Sequence, residues 1–574
     1  MPSQLLSAQL KIQSAGSPLE PWLARALVSW EVQDNRTAPD SFLLRFSDPT
    51  YAVLDHPALA IGGPVDLAVQ VAGSGAPRPL LAGEITAVEL DYAEQRCFAI
   101  VRGLDVAHRL YRGRRTESYE GQRIPEIIDK VAKRAGLTVA DAGDIPAGGN
   151  REVVNQTAES DAGFLDRLTR HIGAQWWVVR RQLHVRALPP PQGAPAGSTP
   201  PQSSGLVLDP AHGLVSLLAS ASSAGQVTEV QVPGWDPVRK EPVLGRAPVQ
   251  QPSVEVDGLT PAGMAGSFAG QSPPLVYAGM VASTQEEADA AAQSIAAQVA
   301  SGCVELDGTA IGNPDLRAGA AVTIGATVRP FAGRYVLTST RHYQHQHGGY
   351  RTDFIASGWS DRSLSGMIAG TTGPGAPAAN LMVGVVRNVD DPDGHGRVRV
   401  NLPGIGESNK TGWLPVVYPG AGNGAGLVAP LAVGAQALVA VPASNPDAAM
   451  VLGGLHNQQD PPPVLPQGVE FHDANTGEVQ GVCLTAPGGA QLAIVHTASV
   501  RLVRLATADA NHTIEIDQAN NVITIRSRGR VVLAGDQGIS IEASGGPVEI
   551  KGTAVTIDAG GGPVAVKGSS VQIG

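Results

Sequence analysis

Charge, aromatic rings and cysteine are all scarce in this 574-residue chain, at 16% charged, 4% aromatic and three cysteines. Cys97, Cys303 and Cys483 stand too far apart for a metal-binding spacing. That excludes a disulfide framework and fits folding in a reducing cytoplasm. No uninterrupted apolar run approaches the roughly 18 residues a membrane helix needs. The stretch from Met1 to Gly16 lacks a basic segment followed by an apolar one, so no secretion signal is expected. A net charge of -11 argues against a nucleic-acid partner, because phosphate binding needs a concentrated basic face. No HExxH motif, phosphate-binding loop or Cys-His constellation occurs. No catalytic residue, cofactor or metal site is therefore expected, although paired carboxylates have no local signature.

What abounds is turn formers: 69 Gly and 44 Pro lie between short Val/Ile/Leu runs. This pattern predicts a mostly β chain, and the length predicts three or more domains. Period-two alternation from Gln9 to Val101 predicts a small barrel or sandwich. Helices are predicted at Ile124–Ala135, with Pro125 in its first turn and Gly136 beyond its end, and at Ser160–His171, capped by Ser160. A hairpin over 175–186 and a Pro/Gly/Ala/Ser linker follow. A second β region carries one Ala-rich helix, Gln285–Ala300, with Ser283 or Thr284 as its N-cap.

The tail repeats. Gly545–Ile557 recurs as Gly561–Ile573, a period of 16 residues, and a looser copy begins at Gly529. Each copy offers four aliphatics: Val548, Ile550, Val555 and Ile557, then Val564, Val566, Val571 and Ile573. A lone ribbon of such strands would leave one face and both edges uncovered. Several chains wound about one axis pair the edges and enclose the aliphatics. A single-chain β-solenoid is the other arrangement, for which about three short repeats are the bare minimum.

With the tail in view, Gly103–Arg115, Asn155–Leu165, Ile172–Trp177, Val232–Pro237, Gly312–Gly319 and Gly348–Phe354 together resemble one family. So do Val383–Val400, Trp413, Pro419–Gly426 and Val451–Asn457. The family is the VgrG-like, phage hub-and-spike proteins of contractile injection systems: type VI secretion, phage tails and extracellular phage-tail-like particles. The resemblance implies a mainly β fold: two tube-like hub barrels with an α/β insert, an OB-fold collar and a C-terminal intertwined trimeric β-helix needle. It divides the chain into a first hub barrel (1–103), the insert (104–188), a linker (189–205), a second hub barrel with a helix (206–368), a linker (369–379), the OB-fold (380–463) and the spike (464–574). The eight repeat aliphatics would be the shaft core, and Val571, Ile573 and Gly574 the end on which a PAAR-type tip protein docks. The implied protein is a homotrimer that caps a hexameric inner tube, organises the baseplate and pierces a target envelope when the sheath contracts. It would be assembled in the bacterial cytoplasm, become part of an injection particle and touch the target membrane only while piercing. It is not expected to be an enzyme. A tail-associated cell-wall hydrolase and a glycan-binding tail adhesin are the alternatives.

Other motifs have plainer readings. His342, His345 and His347 have metal-ligand composition, but their place before Gly348 predicts a polar hairpin tip. Asp390, Asp391 and Asp393 fail the spacing of a calcium loop and predict a β-turn. Gly420–Gly426 lacks the Lys-Ser/Thr of a phosphate cradle. Arg112, Arg114 and Arg115 predict subunit or hub contacts, and Trp413 and Tyr418 are too few for a nucleic-acid platform.

Overall fold

The computed structural model describes residues 8–572 apart from 37, 73–74, 94–95, 141–144, 146–152, 173, 187–192, 197, 201–203, 237–238, 251–253, 268–273, 278–281, 283, 346–348, 358–378, 405–409 and 443–448. The chain is mainly β and divides into two compact units, Met1–Leu455 and His456–Gly574. Most of the 189–205 and 369–379 linkers' proline-rich sequence, and His347, Ile573 and Gly574, lie outside the described residues.

The first unit is organised on one eleven-stranded sheet. Its strands run in the order Leu214–Ala221, Val304–Ile311, Arg351–Ala356, Ser339–Gln344, Leu27–Asn35, Ser41–Ser47, Arg96–Asp105, Arg78–Ala93, Pro64–Val71, Ala8–Ser14 and Ser17–Pro18. Strands from before and after the 104–188 segment therefore share one hydrogen-bonded ladder, joined where His342 stands opposite Val32. Alternation places Val32, Phe42, Leu44 and Val101 on one face, where they pack with Leu10, Ile12 and Leu67. The packing is close: a Cβ on Gly103 would lie 2.3 Å from the Phe42 ring, so only glycine fits there. A second apolar cluster gathers Leu306, Phe354, Val322 and Tyr335.

Between these strands, the helix Ile124–Arg134 starts where the Arg123 amide donates to the Glu126 carboxylate (3.2 Å) and buries Ile124, Ile127, Ile128 and Val131. Gly136 follows its end at φ +77°. Ser160 Oγ accepts from the Gly163 amide at 3.1 Å, opening the helix Asp161–His171. Thr284 caps Gln285–Ser301, its hydroxyl accepting from the Glu287 amide at 3.2 Å. One of two four-stranded sheets, in the order Arg399–Asn401, Ala379–Asn388, Gln436–Pro442 and Met450–Leu455, encloses Val386, Val400, Val439 and Val451.

One reading changes. His342 is not at a hairpin tip: it sits inside a strand, wholly buried, with Nδ1 2.8 Å from the Tyr350 hydroxyl. Period-two alternation turns it onto the core face, and burial pushes its pKa down to about 3, so it is a neutral core residue. Arg114 and Arg115 contact their own chain, at the Ala158 carbonyl (3.3 Å) and the Asp161 carboxylate (3.4 Å). Asp391 does sit in a tight turn. Its carboxylate accepts from the amides of Asp393, His395 and Arg397, and the Arg397 guanidinium holds it well below the usual carboxylate range.

In the second unit, Gly481–Thr485, Gln491–His496, Arg501–Ala506, His512–Asp517 and Val522–Ser527 form a five-stranded antiparallel meander. Its last two turns are built by Asp–Asn pairs. The Asp509 carboxylate accepts from the Asn511 amide, and that of Asp517 from the Asn520 amide, each at 3.0 Å. One face of the meander buries Ala493, Val495 and Leu502 against Leu465.

Candidate assembly interfaces

Surface chemistry concentrates in three uncovered features, each reached by following backbone pairing outward from the cores. The first is the other face of the meander. Strand register aligns Val482, Ile494, Val503, Ile516 and Ile523 in one row across all five strands. Leu484, Leu492, Leu505, Ile514 and Ile525 form a second row beside it. All ten side chains are aliphatic and exposed. A contiguous apolar face of this kind marks a surface that another body covers.

The second feature is the repeat. From Gly529 to Gln572 no strand forms, and the backbone amides of Gly538 and Gly562 alone donate to main-chain carbonyls among the described residues of this stretch. Ile550, Ile557 and Val566 are 69, 72 and 69% exposed, while Val548, Val555, Val564 and Val571 lie between 51 and 56%. Exposure thus follows the sequence period, and the chain does not gather these residues into a core of its own. Pro547 and Pro563 remove amide donors just before the aliphatic pairs.

The third is a pair of sheet edges in the first unit. The long strand Arg78–Ala93 pairs with Pro64–Val71 only as far as Glu84. From Thr86 to Ala93 its outer edge has no partner strand among the described residues, and Leu90 and Tyr92 are exposed there. They stand opposite Ala99 and Cys97 and so continue the core face. At the other end, Leu214–Ala221 pairs only with Val304–Ile311 among the described residues, and Leu217 and Ala219 carry the core face to that edge. Eight strands lie from one free edge to the other, each antiparallel to its neighbour.

Among the described residues no three His, Cys, Asp or Glu side chains are grouped to hold a metal ion. Trp413 is half-buried with the Arg399 guanidinium 4.7 Å above its ring. The repeat was visible in the sequence. The ten-residue meander face was not singled out there, although the alternation of Val482 with Leu484 and of Ile514 with Ile516 carried its signal.

A family model described as phage tail baseplate hub (GPD) matches residues 52–348, and one described as type VI secretion system/phage-baseplate injector OB domain matches 382–456. No curated protein matches the sequence. Among solved structures, the lidded PdpA–VgrG complex of Francisella is similar at TM-score 0.53 and 9% identity, over 91% of this chain and 80% of that one. An Escherichia coli protein described as a component of the type VI secretion system aligns at TM-score 0.44 and 16% identity, over 78% of this chain and 99% of its own. The 43 kDa tail protein of prophage MuSo2 from Shewanella oneidensis aligns at 0.44 and 16%, over 61% of this chain and 98% of its own. The first of these likenesses shows a shared fold.

Proposed function

The chain belongs to the phage tail baseplate hub family, and from that premise we propose that it is the central hub and spike of a contractile injection machine, working as a homotrimer. The observation that carries this reading is the 529–572 stretch, whose aliphatics are exposed and whose backbone finds no strand partner among the described residues. Three chains wound about one axis supply each missing partner, pairing the edges and enclosing Val548, Ile550, Val555, Ile557, Val564, Val566, Val571 and Ile573. The ten-residue meander face supports the same assembly, since three such faces meeting around an axis form a dry prism continuous with the needle.

In the hub, the Val215–Ala221 edge of one copy lies along the Thr86–Ala93 edge of the next and closes a ring that seats on a hexameric inner tube. The OB-fold forms the collar. Baseplate proteins gather around the ring, and a PAAR-type tip docks at Val571, Ile573 and Gly574. Stiffness is the mechanism: continuous interchain hydrogen bonds and a dry aliphatic centre let the shaft transmit the sheath's thrust into a target envelope. Light-scattering mass and negative-stain images of the purified chain test this. A trimer with a rod is expected, and a stable monomer without a rod would sink it.

A further inference from the structure

Three carboxylates from the strands of the hub's earlier segment are buried beside one guanidinium from its later segment. Asp34 lies on Leu27–Asn35, Asp40 just before Ser41–Ser47, and Asp105 at the end of Arg96–Asp105, at 7, 8 and 6% exposure. Arg317, from the loop after Val304–Ile311, donates to Asp34 through Nε, and the Ala318 amide donates to the same oxygen at 3.2 Å. Asp40 accepts from the Asn35 amide at 2.8 Å, and its carbonyl receives the Asp105 amide at 2.8 Å. Asp105 Oδ1 is buried with no hydrogen-bond partner. A buried carboxylate oxygen without a donor is costly when ionised and comfortable when it carries a proton.

The other charged groups nearby do not relieve this. His108 turns its Nδ1 to the Asp105 main-chain oxygen (2.8 Å) and its Nε2 towards Glu84 (3.8 Å), which also holds Arg109. Arg36 directs its guanidinium to Gln175 (3.3 Å) and over the Trp177 ring (4.7 Å). Beyond Arg317, His342 is neutral and Tyr350 keeps its proton. The Arg317 guanidinium thus serves Asp34 and Asp40, and the carboxyl of Asp105 has only the Ala107 and Asp40 amides turned to it.

We propose that this cluster is a proton-binding latch: the seam between strands 27–105 and the 313–320 loop is tightest when Asp105 carries a proton and slackens as that proton leaves. Burial, with the charge of Asp34 behind it, raises Asp105 to about 7, and burial with the charges of Asp34 and Asp105 raises Asp40 well above the usual range. The folded seam therefore binds more protons than the opened one. The latch's stabilisation is fully present below the ordinary carboxylate pKa of about 4 and is lost as pH rises towards 7.

Hydrogen exchange read by mass spectrometry on the full chain tests it, with rates corrected for intrinsic exchange at each pH. Protection of the 313–320 peptide is expected to fall about tenfold per pH unit between roughly 5 and 7 for one released proton. In D105N, whose side chain mimics the protonated acid, that slope should vanish and protection at pH 8 should exceed the wild type's. A flat wild-type profile overturns the proposal, as does an unchanged slope in D105N. Should D105N fail to fold, the wild-type profile alone decides.

Discussion

The meander at 481–527 and the repeat at 529–572 are written in nearly the same alphabet, alternating aliphatic with polar residues, yet only the first pairs with itself. Its tight turns, two of them built on Asp–Asn pairs, reverse the chain after each strand of five or six residues, so every inner strand finds two neighbours. What it lacks is a cover for one face. The repeat turns at 535–538 and 559–562 without forming a strand on either side, breaks its aliphatic pairs with Gly-Gly-Pro, and among the described residues lacks partners for its edges as well as its face. The hub presents the third combination, a covered face with two free edges. What the chain leaves unsatisfied is therefore graded along the molecule, by which of its surfaces local turns can cover.

The most disruptive way to break this contrast is a charge in the repeat. Ile557→Asp places an unpaired carboxylate in the enclosed centre, costing several kcal/mol in each copy. Protease resistance of the shaft should be lost while the hub stays folded; an intact, resistant shaft would remove the enclosed centre. Truncating Ile494 to Ala sharpens the comparison from the meander side. If three faces meet there, the loss should be about 2–5 kcal/mol per chain, read as a drop in the shaft's thermal midpoint. An effect below about 0.5 kcal/mol would mean that the face stays in water. In the hub, L90C combined with L217C or A219C should give covalent trimers on oxidation, seen on a non-reducing gel. Monomers from both pairings would count against edge-to-edge closure.

The smallest effect belongs to the turns. Asn520 holds the Asp517 carboxyl below its usual range, so the turn's contribution is present above pH of about 4 and lost as pH falls through the lowered value. Asp517→Ala should remove that acid sensitivity of the meander, followed by circular dichroism, and leave neutral-pH assembly intact.

Local signals were the legible part of the fold. Pro125, Gly136, Ser160 and Thr284 mark helix ends because capping is a matter of residues within one turn. The 16-residue period stood out because identical spacing needs no knowledge of partners. Illegible were the features that depend on register. Val482, Ile494, Val503, Ile516 and Ile523 become one row only once five strands are aligned. Asp34 and Arg317 meet across most of the first unit's sequence. His342 was misread as part of a hairpin tip because its nearness to Gly348 says nothing of where the strand ends or which face it takes.

The eight antiparallel strands between the hub's free edges carry a consequence for how the proposed ring would evolve. Eight is even, so the strand each copy presents at one edge runs opposite to the strand at its other edge. Copies can follow one another around a circle with the same polarity at each joint, whatever their number. Losing or gaining a single strand would force a parallel joint and spoil its hydrogen-bond spacing. Losing or gaining a hairpin would not. Such hubs are free to change bore two strands at a time, and not by one.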